Sequence, residues 1–131
     1  MNASISTSKA HSPLYEKAME IFTLSKNISH YLMEDVNRLE KDGKEHAYVY
    51  VAGDIVQQSV SLVPEIMKAE RWRHSDKKHT YAASVTRLAN RLYRNCERLE
   101  LINSNGKDFI PILRNELKKF RKLQRHWMLT L

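Results

Sequence analysis

The side chains best placed to do chemistry in this sequence are eight cations at helical spacing. Arg87, Arg91, Arg94 and Arg98 follow one another in steps of four, three and four, and Arg114, Lys118, Arg121 and Arg125 repeat those steps. On a helix such steps keep each set on one face, as a ridge. Guanidinium groups donate paired hydrogen bonds to phosphate oxygens and lysine adds a point charge, so the matching chemistry is the seating of a nucleic-acid backbone, RNA or DNA, through its phosphates. Nothing in the pattern suggests reading of base sequence. Like charges four residues apart repel by about 0.2–0.5 kcal/mol per pair on an isolated helix, so the ridges disfavour the bare fold and an anion relieves them. The anion also has an internal source open to it, in Glu16, Glu20, Glu34 or Glu40 of an acidic first helix lying beside the last. Tyr81, Tyr93 and Trp72 have two roles open to them, stacking on bases or packing at the edge of a core.

The charge is unevenly spread. The chain of 131 residues has a formal charge of +7, yet residues 14–43 hold four basic and six acidic side chains and residues 44–74 four of each. Residues 75–103 hold six basic against three acidic, and 104–131 seven against two, so the second half carries the whole excess.

Other chemistry lacks its handles. No glutamate has a histidine three residues on, as a carboxylate-bridged metal centre in a bundle requires, and no two of His11, His30, His46, His74, His79 and His126 stand four apart. No glycine-rich phosphate loop, Gly-x-Ser-x-Gly elbow or paired-cysteine motif is present, so the expectation is a protein that is not an enzyme and needs no metal or cofactor. Glu97 and Glu100, among Arg94 and Arg98, read as surface ion-pairing residues. Cys96, the single cysteine, falls on an inward stripe where a thiol is inert, and its solitude fits a reducing, cytoplasmic setting. No apolar run is long enough to span a membrane.

These residues must be positioned by helices, because glycine and proline supply only six residues and strands with tight turns would need more. Residues 1–12, serine-rich and without a signal-peptide apolar run, read as a flexible tail and 13–131 as one domain. Ser12-Pro13 opens a first helix with Leu14, Ala18, Ile21, Ser25, Ile28, Leu32, Asp35 and Leu39 on one face, stopping near Gly43. A second runs from about Lys44 to Arg73 with Pro64 as a bend. It carries a core stripe through Ile55, Ser59, Leu62 and Ile66 and a second stripe of Val49, Val56, Val60, Val63 and Met67. Ser75-Asp76 caps a third, inward through Val85, Ala89, Leu92, Cys96 and Leu99, and ending near Asn103. Asp108 caps a fourth, inward through Leu113, Leu117, Phe120, Gln124 and Trp127. Helices of some 27 residues are about 40 Å long, and short turns between them require an up-down-up-down four-helix bundle. A bundle has no inside place for the second valine stripe, which predicts a closed homo-oligomer.

The segment from Tyr15 to Ile21 (Tyr-Glu-Lys-Ala-Met-Glu-Ile), the segment from Ala82 to Tyr93, and Leu113 to Leu117 leading to Trp127 resemble the first, third and fourth helices of a bacterial family. That family comprises the proteins encoded in ribosomal RNA intervening sequences and the accessory variability determinants of diversity-generating retroelements. The resemblance implies a barrel-like homopentamer with a basic surface. For the retroelement branch it also implies association with a reverse transcriptase and its template RNA, catalysis belonging to the transcriptase. The intervening-sequence branch implies the rival reading, a structural or protein-interaction bundle without specific nucleic-acid binding.

Overall fold

A computed structural model describes the backbone of residues 11–39, 45–101 and 108–131, and the side chains of 11–31, 50–101 and 108–131. It is all-helical, with four helices: α1 (Pro13–Leu39), α2 (Glu45–Arg71), α3 (Lys77–Leu101) and α4 (Ile110–Thr130), and no strand among the described residues. α1 packs on α2, α2 on α3, α3 on α4 and α4 back on α1, closing a four-helix bundle.

The helix starts follow from local chemistry. The Ser12 hydroxyl accepts the Tyr15 N–H at 3.2 Å while its carbonyl accepts the Glu16 N–H at 3.1 Å, so serine satisfies one orphan donor of the first turn and opens the regular helical ladder. Ser75 repeats the device for α3, its hydroxyl accepting the Lys77 N–H at 3.2 Å. The start of α4 differs from the expectation, because Phe109 rather than Asp108 is the capping residue and no side chain caps it. The Phe109 carbonyl accepts the N–H groups of Ile112 and Leu113, and Pro111 in the first turn has no N–H to satisfy. α2 runs without a break through Pro64.

The inward stripes meet as one core. Leu14, Ala18, Ile21 and Ile28 of α1 pack with Ile55, Leu62 and Ile66 of α2, Val85, Leu92 and Leu99 of α3, and Leu113, Leu117, Phe120 and Trp127 of α4. Each large aliphatic side chain removed from water in this way contributes about 1.5–3 kcal/mol before the entropy of ordering it. Leu32, Asp35, Leu39 and Asn103 of the expected stripes lie outside the described side chains.

Polar contacts tie the helix seams together. Ser59 donates to the Ile55 carbonyl at 2.7 Å, which leaves Ser25 of α1 as the donor in the 2.8 Å contact between the two hydroxyls. Gln124 donates to the Thr86 hydroxyl at 2.7 Å, Asn95 to the Gln58 carbonyl oxygen at 2.8 Å, and the Trp127 indole N–H to Glu70 at 2.8 Å. Between α1 and α4, Lys17 meets Glu116 at 2.8 Å and the rings of Tyr31 and Phe109 meet edge-on. Lys78, at the start of α3, bonds the carbonyl of Leu131.

Candidate nucleic-acid interface

Both cationic ridges lie outside the core. Arg87, Arg91, Arg94 and Arg98 are all exposed on α3. Every residue of their helix that points inward, from Ala82 to Leu99, is apolar or an amide, so the apolar periodicity itself turns the arginines to solvent. Arg91, Arg94 and Arg98 border a shallow depression on the α2–α3 seam, with Asp54, Gln58 and Asn95 completing it. Asn95 is 5% exposed and Arg98 Nη1 donates to its Oδ1 at 3.2 Å. The amide thus holds Gln58 with its nitrogen and Arg98 with its oxygen.

On α4, Lys118 and Arg125 are exposed while Arg114 and Arg121 lean back against α3. Arg114 meets Glu100 at 2.8 Å, an ionic contact that leaves this buried Glu100 oxygen without a hydrogen-bond donor among the described residues. Arg121 donates to Asn90 at 3.0 Å and stacks its guanidinium over Tyr93 at 4.4 Å. Lys118, Arg121 and Arg125 share a second depression with Lys119, Lys122 and Asn115. Lys119 and Lys122 enlarge the basic surface beyond the ridge. They were legible in the sequence as two further cations on the same turns, and the fixed four-three spacing passed over them.

Internal neutralisation is slight. Of the eight ridge cations, Arg114 alone meets a carboxylate within 4 Å among the described residues. Glu20 pairs with Lys17 on its own helix, and Lys17 also pairs with Glu116, so the contact between α1 and α4 puts the cation on α1 and the anion on α4. Glu34 and Glu40 lie outside the described side chains. Hydrogen bonds from Lys17 and then Lys119 hold Glu116 below the usual carboxylate range, and Lys17 is raised by Glu116 and then Glu20. Burial works to raise Glu65, but hydrogen bonds from Lys68 and Ser84 and the charges of Lys68 and Arg87 lower it on balance. Arg87 therefore has some acidic company across the α2–α3 seam.

The three aromatics open to base stacking each have a cation over one ring face: Arg121 over Tyr93, Lys68 over Tyr81 at 5.7 Å and Lys77 over Trp72 at 4.4 Å. Tyr81 and Tyr93 also pack against the core. Cys96 is fully buried, and burial chiefly pushes its thiol up to about 12, with the charge of Glu100 adding to the shift. No group of three or more histidine, cysteine or acidic side chains that could hold a metal occurs among the described residues, and no described helix is long and apolar enough to cross a membrane.

The second stripe of α2 divides. Val63 packs against the core and Val56 is half-buried, so these two have partners within the protomer, whereas Val60 and Met67 are exposed at 40% and 42%. Val49 lies outside the described side chains. Gly53, three residues before Val56, is exposed, and a Cβ there would meet nothing within 4 Å among the described residues.

No family model, curated protein or solved structure matches this chain.

Proposed function

We propose that the protein is a non-catalytic, nucleic-acid-binding accessory subunit, gripping RNA or DNA by its phosphates through Arg87, Arg91, Arg94, Arg98, Arg114, Lys118, Arg121 and Arg125. The observation that carries this reading is two exposed cationic depressions, on adjacent helices, whose charges are largely unmatched by carboxylates among the described residues. Concave surfaces of one sign focus potential and raise the local concentration of a polyanion. The cation-covered faces of Tyr81, Tyr93 and Trp72 favour backbone contact over stacking on bases.

The architecture that goes with it is up-down-up-down. The pairing of side chains supports this, since Glu100, Asn90 and Thr86 meet Arg114, Arg121 and Gln124 in reversed order, as Gln58 and Lys68 meet Asn95 and Tyr81. A closed homo-oligomer through the Val60 and Met67 side of α2 is part of the proposal, with a pentamer, a reverse-transcriptase partner and its template RNA following from the family resemblance alone. The single cysteine agrees with a cytoplasmic setting.

One variant tests the binding claim. Replacing Arg87, Arg91, Arg94 and Arg98 together by glutamine keeps helix propensity and takes away up to four cations that seat phosphates. RNA affinity should fall and its salt slope flatten by roughly 0.9 for each duplex phosphate no longer neutralised, or about 0.7 on single strands, with the melting temperature kept. A lower melting temperature with unchanged affinity would instead establish internal neutralisation. Wild-type protein that fails to hold RNA or DNA at about 50 mM salt leaves the structural bundle as the reading.

A further inference from the structure

We propose that the α2–α3 depression bordered by Asp54, Gln58, Arg91, Arg94, Asn95 and Arg98 is a discrete phosphate seat, with Gln58 and Asn95 positioning Arg98 and the carboxylate of Asp54 opposing the incoming anion. The proposal rests on the nucleic-acid reading for its natural ligand, a sugar-phosphate backbone, but not for its geometry.

Two ridges of equal formal charge are not equally prepared for an anion. On α4, Arg114 is engaged by Glu100, and Arg121 is held against Asn90 and Tyr93. On α3, Arg91, Arg94 and Arg98 have no carboxylate within 4 Å among the described residues, and they converge on a concave surface. Convergence matters because a single exposed arginine spends side-chain entropy to meet a phosphate, whereas a guanidinium already held in place spends less. Arg98 is held by the Asn95 oxygen, and Asn95, itself buried, is fixed by donating to Gln58 on the neighbouring helix. The chain Gln58–Asn95–Arg98 is neutral up to its last member, so it orients the cation without cancelling its charge. A carboxylate in the place of Asn95 would hold Arg98 as well and would neutralise it.

Asp54 borders the same depression and is exposed, but forms no ion pair among the described residues. Its charge lowers the potential that an incoming phosphate meets. It therefore favours ligands that present several linked phosphates over a lone one, because only these reach enough cations at once to outweigh the repulsion. Removing that charge strengthens binding of any phosphate most at this place, and less with distance as salt screens the effect.

The test uses the full chain and two probes, inorganic tripolyphosphate followed by calorimetry and a labelled RNA of about 20 nucleotides followed by anisotropy, both at about 50 mM salt. Arg98→Gln should weaken both by about tenfold, as loss of a charge-assisted hydrogen bond implies. Gln58→Met removes no charge and should weaken both by roughly threefold through loss of orientation. Asp54→Asn should tighten both by about threefold. Lys26→Gln, which removes an exposed cation from α1, should leave tripolyphosphate binding unchanged. Circular dichroism on each variant checks the fold, and Gln58 and Asp54 lie outside the apolar core, so their substitutions keep the question answerable if Arg98→Gln unfolds. Wild-type protein that takes up no tripolyphosphate, or equal losses for Arg98→Gln and Lys26→Gln, or no gain from Asp54→Asn, would overturn the seat. Tripolyphosphate binding that responds to the variants alongside no RNA binding would support the seat and overturn the nucleic-acid reading.

Discussion

Glu116 receives hydrogen bonds from Lys17 and Lys119, and with its side chain 18% exposed it is among the better-shielded charges of the bundle surface. Folding lowers its carboxyl below the ordinary 4.5, so the stabilisation is complete above that value and is lost as pH falls through the depressed folded one. Lys17, raised above its ordinary 10.5, loses its share only as pH rises through the raised value. Glu116→Gln is predicted to lower stability by about 1–2 kcal/mol near neutrality and to match wild type in strong acid, as urea melts at the two conditions would reveal. A deficit of equal size in both would mean that packing, not charge, is at stake. Cys96 makes a second prediction at this scale. With its thiol pushed up to about 12 and fully enclosed, native protein at mildly alkaline pH should not react with an aromatic disulfide reagent, and labelling should proceed only at the rate of unfolding or local opening.

A helix holds its place here through one stripe. Leu92 and Leu117 are fully buried, and an aspartate at either would bring an unpaired charge into the core. Leu92→Asp or Leu117→Asp should cost more than about 4 kcal/mol and abolish the helical far-ultraviolet dichroism, whereas Lys122→Asp, at an exposed position of α4, should leave it intact. Those stripes were legible in the sequence because the four-three spacing persists over some six turns, and Ser12 and Ser75 announced their helices through hydroxyl caps that act over only three residues. Asp108 was misleading although aspartate is among the preferred capping residues: the cap falls one residue later, at Phe109, with Pro111 in the first turn, where its missing N–H needs no partner. The ridges were legible too, as exposed cations. Their partners were not. Whether Arg114 meets Glu100 or Glu16 depends on which side of α4 faces α3, an azimuth set by packing of all four helices. The Gln58–Asn95–Arg98 chain has no sequence signature, since its members are 37 and 3 residues apart.

At the scale of the whole molecule, the exposed side of α2 decides whether the bundle stands alone. Val60 and Met67 sit on it with no charge between them on that stripe, while Val63 beside them reaches the core. Light scattering at micromolar concentration is predicted to give a mass several times that of the 15.4 kDa chain, and Val60→Glu with Met67→Glu to give that of one chain with helicity kept. A wild-type mass of one chain would defeat the assembly. Gly53, in the same line, sharpens the matter. A glycine inside a helix costs about 1 kcal/mol relative to alanine, and nothing among the described residues occupies the room it leaves. Gly53→Ala should therefore raise the melting temperature of dilute protein. In an assembly whose copies close over this stripe, the added methyl group occupies the neighbour's space, and mass action then makes the same substitution destabilising once the protein is concentrated. The two melting curves, followed against protein concentration, should cross, and the crossing marks where a neighbour's close approach begins to outweigh the propensity of a single residue.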